Sequence, residues 1–108
     1  SQFARAHQLK AHINAEDMAK TLNQYSGLRE NTKALIYVGQ RRWDILTKDD
    51  MRIMLPQDGA AAALQRLDGY HKTTGLLEKD LAVIDLRIEG RMYLTKAENT
   101  RTRKKSRA

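Results

Sequence analysis

The chain contains no cysteine, which removes disulfides, thiolate chemistry and Cys-based zinc sites together. That absence assigns no compartment, because cysteine-free proteins occur in oxidising and reducing environments alike. No apolar run approaches the roughly 20 residues that a membrane-spanning helix needs, and no basic-then-apolar leader opens the chain. Motifs for a serine or cysteine nucleophile are missing, as is a glycine-rich phosphate loop. Histidine is sparse. His7 and His12 are five residues apart, roughly 140° around a helix, and His71 is remote from both. Two metal ligands on one helix face need a spacing of three or four, so no metal site is expected. The paired carboxylates Glu16-Asp17 and Asp49-Asp50 fall at a helix start and in a turn, where acids are placed for structural reasons. These absences predict a protein that is not an enzyme and takes no cofactor.

What is present describes one modest globule. The chain has 108 residues, 41% hydrophobic and 31% charged, and a formal net charge of +7. The charge is uneven. Beyond residue 96, Arg101, Arg103, Lys104, Lys105 and Arg107 face only Glu98, so this tail carries +4 and the body about +3. The tail has no strand or helix periodicity and no bulky apolar residue, so residues 97–108 are expected to be a disordered basic tail behind one domain over 1–96. Clustered Lys/Arg without interleaved aromatics implies salt-sensitive, sequence-blind attraction to polyanions.

The first third reads as helical. Phe3, Ala6, Leu9 and Ile13 recur at three and four, and Met18, Leu22 and Tyr25 repeat the pattern. Asn14 ahead of Ala15-Glu16-Asp17 is a candidate cap for a second helix, although one long helix fits the pattern as well. Ser26-Gly27 reads as the stop, followed by a polar spacer over Arg29–Thr32. Lys33–Val38 is rich in strand formers, and Gly39-Gln40 makes a hairpin turn. In the next strand Trp43 and Ile45 share one face, with Arg42, Asp44 and Leu46 opposite. Trp43 is either core beneath a helix or part of an interface. After the turn at Lys48-Asp49-Asp50, Met51, Ile53 and Leu55 face one way and Arg52 and Met54 the other.

Pro56 ends that strand. Asp58 is the best N-cap for a helix from about Gly59 to Thr74, with Ala60, Ala63, Leu64, Leu67 and Tyr70/His71 as its apolar stripe and Gly75 as terminator. A last hairpin follows. Ala82, Ile84, Leu86 and Ile88 alternate with Val83, Asp85 and Arg87, and a Glu89-Gly90 turn leads into Arg91–Leu94. Asp85 and Arg87 either form cross-strand ion pairs, with Arg52 or Asp44, or frame a binding surface. The pattern predicts an α+β fold of two layers, a mainly antiparallel sheet with helices packed on one face.

The final strand is the sharpest functional candidate. Residues Arg91–Thr95 contain no proline, and charge stands only at the ends, at Arg91 and Lys96. An unblunted edge of this kind offers free backbone groups to which a partner strand can add.

A Trp43-Asp-Ile-Leu strand, a strand ending in Leu55-Pro56, an Ala-rich helix and a late Ile84-Asp-Leu-Arg87 together resemble the C-terminal periplasmic β domain of the bacterial cell-division family FtsQ/DivIB. The resemblance covers roughly Glu16 to Thr95. It implies a divisome scaffold, without enzymatic activity, that recruits FtsB- and FtsL-like membrane partners by strand addition at its last strand. Carried onto this chain, the partner-binding positions are Arg87, Ile88, Arg91, Met92, Tyr93 and Leu94. It also implies a single-pass inner-membrane protein with this domain on the periplasmic face, preceded by a cytoplasmic tail, a transmembrane helix and a POTRA domain. The alternative is a small basic nucleic-acid or ribosome-associated protein that uses its tail and exposed arginines.

Overall fold

The computed structural model describes residues 13–98, and the expectations placed on 1–12 and 99–108 (the Phe3–Leu9 stripe, His7, His12, the basic tail) lie outside these described residues. Asn14 starts the first helix, α1 (Ala15–Asn23): its Oδ1 accepts the Asp17 amide at 2.8 Å, and Glu16 and Asp17 sit at the positive end of the helix dipole. The expected stop at Ser26-Gly27 is not there. The chain turns at Gln24-Tyr25 and re-enters a short helix, α2 (Ser26–Asn31), so Gly27 and most of the expected polar spacer are helical. Gly27 is needed for packing. A Cβ there would stand 3.2 Å from Cδ2 of His71, which lets α2 approach the long helix closely.

The sheet follows directly. β1 (Thr32–Val38) pairs antiparallel with β2 (Arg42–Thr47) through a tight turn in which Gly39 and Gln40 both have positive φ, 58° and 55°. β3 (Arg52–Met54) returns antiparallel to β2. The intervening turn is closed by the Thr47 hydroxyl, which accepts the Met51 amide at 3.0 Å. The crossover helix α3 (Ala60–Thr74) then carries the chain back to β4 (Leu81–Asp85), which lies parallel to β3. Asp58 does not cap α3: Gly59, at φ 81°, holds the cap position without a side-chain hydrogen bond. Gly75 ends the helix in the left-handed conformation, as its sequence position implies, and a short 3₁₀ turn (Leu76–Glu78) leads into β4. Among the described residues the sheet has five strands, with β5 (Tyr93–Lys96) last, and its spatial order β1-β2-β3-β4-β5 follows the chain.

One face of this sheet is covered. Ile45, Ile53, Leu55, Ile84 and Leu86 point from the strands into a core completed by Met18 and Leu22 of α1, Leu28 of α2, and Ala60, Ala63, Leu64 and Leu67 of α3. The expected α+β architecture is therefore the observed one. The alanines fulfil their role, since Ala63 is fully buried and lets α3 lie close to the sheet. Tyr70 drops out of the stripe and is exposed, whereas His71 is half-buried with Nδ1 accepting the Leu77 amide at 3.2 Å. Asp68 is buried without having been expected there, and Lys72 reaches it at 3.1 Å.

The alternation in β4 needs one correction. A register shift between Leu81 and Val83 puts Leu81 in the core and leaves Ala82 half-buried, while Ile88 lies past the strand end and is exposed.

Candidate functional site

Among the described residues, strand β5 is hydrogen-bonded on one side only, because it is the end of the sheet order. Asp85, Ile84 and Val83 stand opposite Tyr93, Leu94 and Thr95. The Leu86 amide donates to the Met54 carbonyl on β3 at 2.8 Å, and the Ala97 amide donates to the Asp80 carbonyl at 3.2 Å. Amides two residues apart on a strand point the same way. Val83 and Asp85 therefore turn their amides toward β5, and Tyr93 and Thr95 turn theirs toward β4. The amides of Leu94 and Lys96 are left directed away from the sheet.

Side chains at this edge are exposed on both faces. Tyr93 and Leu94 are each 47% exposed, and all four residues of β5 are open to solvent. The reason lies in the helix layer. Leu94 belongs to the row Leu35-Ile45-Ile53-Ile84-Leu94, on the side the helices cover. Its neighbour Ile84 is fully buried, so the cover ends between β4 and β5. The opposite edge, β1, is blunted: its register is irregular between Thr32 and Ala34, where Lys33 pairs with Asp50 at 3.6 Å.

The segment joining β4 to β5 is longer than the tight hairpin expected from Glu89-Gly90. With Asp85 opposite Tyr93, the seven residues Leu86–Met92 form the connection. Its first bend is made by Asp85, whose Oδ1 accepts the Arg87 amide at 3.0 Å while Arg87 Nε and Nη2 close on the same carboxylate at 3.0 and 2.9 Å. Arg87 thus pairs within its own stretch of chain and not across the sheet with Asp44, and Asp85 does not pair with Arg52. These hydrogen bonds from the Arg87 side chain, aided by its amide and its charge, hold the Asp85 carboxyl below the ordinary carboxylate range against the opposing effect of burial. The second bend spans Ile88 to Arg91, where the Arg91 amide donates to the Ile88 carbonyl at 3.0 Å and Gly90 takes φ 77°.

The six expected partner-binding residues accordingly divide. Arg87, Ile88, Arg91 and Met92 lie in the connection, and only Tyr93 and Leu94 lie in the strand. Arg87, Ile88, Arg91, Tyr93 and Leu94 are exposed beside one another in sequence, and Arg91 Nη1 donates to the Tyr93 hydroxyl at 3.2 Å. Met92 is the exception. It is half-buried and packs on the core, which fixes the start of β5.

A further polar cluster lies on the uncovered face, and the sequence pattern did not reveal it. Asp44 has no exposed surface, although its strand position puts it opposite the core. Arg42 Nε and Arg52 Nε clamp its two carboxylate oxygens at 3.1 and 2.9 Å. The signal in the sequence was the Arg-x-Asp spacing at Arg42-Trp43-Asp44 facing an arginine on the next strand. Trp43, on the core side, is half-buried: its ring centroid lies 4.7 Å from that of Tyr37, and its indole N–H donates to the Ile13 carbonyl at 2.7 Å. Among the described residues no three His, Asp or Glu side chains converge as a metal site would need, and no helix is long and apolar enough to cross a membrane.

Comparison with known proteins adds the family. The profile described as cell division protein FtsQ/DivIB, C-terminal, matches residues 4–87, most of the chain, and ends ahead of β5. The chain is 33% identical over 89 residues to cell division protein FtsQ of Bradyrhizobium diazoefficiens, covering 82% of this chain and 26% of that protein. It is 31% identical over 96 residues to the FtsQ of Bartonella bacilliformis, covering 89% of this chain and 31% of that one. With the FtsQ of Rickettsia typhi the identity is 34% over 86 residues, 80% of this chain and 32% of the other. The chain thus spans about a quarter to a third of the length of the curated relatives it matches. No solved structure matches it.

Proposed function

Because this chain belongs to the FtsQ/DivIB C-terminal family, we propose that it serves bacterial cell division as a docking domain for other division proteins. The partner adds a strand to β5 and so extends the sheet. The observation that carries this reading is the one-sided pairing of β5 among the described residues, with the amides of Leu94 and Lys96 directed outward and Tyr93 and Leu94 exposed on opposite faces. Main-chain hydrogen bonds to such an edge supply affinity, and the flanking side chains select the sequence that docks. Arg87, Ile88 and Arg91 border the same strand and would meet the side chains of an added segment; Met92 acts by anchoring the strand. FtsB- and FtsL-like proteins, with this domain on the periplasmic face of the inner membrane, are the partners that suit the family. Membership in that family disfavours the nucleic-acid alternative.

A proline at Leu94 tests the mechanism. It removes an outward amide and leaves the β4–β5 ladder intact, and edge strands tolerate proline. Full-length protein carrying Leu94→Pro, or Tyr93→Lys, should lose capture of the FtsB- and FtsL-like proteins of its own bacterium, with an unchanged thermal midpoint. Capture equal to wild type by both folded variants would remove strand addition at β5.

A further inference from the structure

β1 forms the other end of the sheet, and the irregularity that blunts its start does not extend along it. From Ala34 to Val38 its pairing with β2 is regular, and this stretch, Ala-Leu-Ile-Tyr-Val, holds no charge and no proline. The Leu55 amide donates to the Trp43 carbonyl at 3.1 Å, and the Thr47 amide donates to the Met51 carbonyl at 2.9 Å. Trp43, Ile45 and Thr47 therefore turn their backbone groups toward β3, and Arg42, Asp44 and Leu46 turn theirs toward β1. Opposite those three stand Val38, Ile36 and Ala34. The amides and carbonyls of Leu35 and Tyr37 are left directed away from the sheet, with no strand beyond them among the described residues.

A groove of about 280 Å³ lies beside this edge, between α1, α2 and the start of β1. Its apolar wall is Ala19, Leu22 and Leu35. Its charged groups are Arg29 and Lys33, and no acid lines it. Arg29 is held in place by Asn23, whose Oδ1 accepts its Nε–H at 3.1 Å, and its Nη groups have no hydrogen bond among the described residues. Lys33 Nζ stands 3.6 Å from Asp50, but the two side chains are 58% and 70% exposed, so water screens that pair and a second carboxylate can compete for the lysine. We propose that β1 is a second docking edge, which takes an extended acidic segment of a partner protein. The segment bonds through its backbone to Leu35 and Tyr37. An apolar side chain beside Leu35 enters the groove, and a carboxylate two residues away on the same face meets Arg29 and Lys33. Charge selects this occupant over a second copy of β1, which has no carboxylate to offer. The proposal stands apart from strand addition at β5, on the opposite edge of the sheet.

NMR titration of the 108-residue chain with the capped peptide Glu-Thr-Val-Thr-Glu tests this. The Leu35 and Tyr37 amide signals should move, and their exchange with solvent should slow. The counterpart Lys-Thr-Val-Thr-Lys should bind at least about tenfold more weakly, because it sets like charges against each other. Arg29→Glu/Lys33→Glu should reverse that order, and the comparison of the two peptides on the wild type stands without the variant. Equal affinity for both peptides, absence of binding, or shifts confined to β5 or to the basic residues 101–107 overturns the proposal. So does protection of Leu35 and Tyr37 that rises with protein concentration in the absence of peptide, which assigns the edge to a second copy.

Discussion

Arg52 reaches diagonally from β3 to close its Nε on Asp44 Oδ2 at 2.9 Å, and the carboxylate it holds has no exposed surface. Asp44 is thereby buried on the face of the sheet that carries no helices among the described residues. The guanidiniums of Arg42 and Arg52 replace the water that a carboxylate on an open β face would otherwise keep. Asp44→Asn, which retains shape and loses charge, should destabilise the domain by about 1–3 kcal/mol in urea denaturation. Arg52 is itself 40% exposed, so its contribution is screened by solvent; Arg52→Met should cost only about 1 kcal/mol. Equal losses for the two variants would show that burial of Asp44 is not what the clamp secures.

The Asp85–Arg87 pair gives a pH-dependent signature. Asp85 is held below its ordinary value, chiefly by the side-chain hydrogen bonds from Arg87. A depressed folded-state value adds stability above the unfolded carboxylate range and loses it as pH falls through the folded-state value. Arg87→Gln should therefore move the Asp85 carboxyl titration upward in an NMR experiment. Its stability deficit against wild type should be full at neutral pH and vanish in acid. A deficit that persists after Asp85 is protonated would mean that Arg87 acts through packing.

Gly27 and Gly69 should respond oppositely to alanine. Nothing lies within 4 Å of a Cβ built at Gly69, in the interior of α3, so Gly69→Ala should stabilise by about 0.5–1 kcal/mol through helix propensity. A Cβ at Gly27 meets the His71 ring at 3.2 Å, and that ring is held by the Leu77 amide. Gly27→Ala should destabilise by about 1 kcal/mol. Thermal midpoints moving in the same direction would contradict this reading of the α2–α3 contact.

Trp43→Phe keeps an aromatic ring beside Tyr37 but removes the donor to the Ile13 carbonyl. About 1 kcal/mol of stability should be lost. Amide exchange should accelerate at the start of α1 more than in the sheet, and uniform acceleration would show that the indole supports the whole core.

The layer arrangement was legible because it depends on local period. Met51, Ile53 and Leu55 are buried as their alternation implies, as are Ala60, Ala63, Leu64 and Leu67 at helical spacing. Turns fixed by backbone chemistry were legible too: Gly39-Gln40 and Gly75 take the positive φ their positions predict. The short α2 was not, since Ser26-Gly27 carries a stop signal that packing against α3 overrides. Near the end of the described chain the sequence placed Tyr93 and Leu94 in a strand, where they lie. It misplaced Arg91 and Met92, because a turn signal at Glu89-Gly90 does not say how many residues flank the bend.

By itself, then, the sequence determined the two layers, the inward faces and an unprotected final strand, all consequences of short-range periodicity and of which residues can blunt an edge. Three matters were decided only by tertiary structure: that among the described residues β5 ends the sheet, that their helix cover stops before Leu94, and that Asp44 is sealed under two arginines. Each depends on strand order or on contacts between residues far apart in the chain, and hydrophobic period carries no information about either.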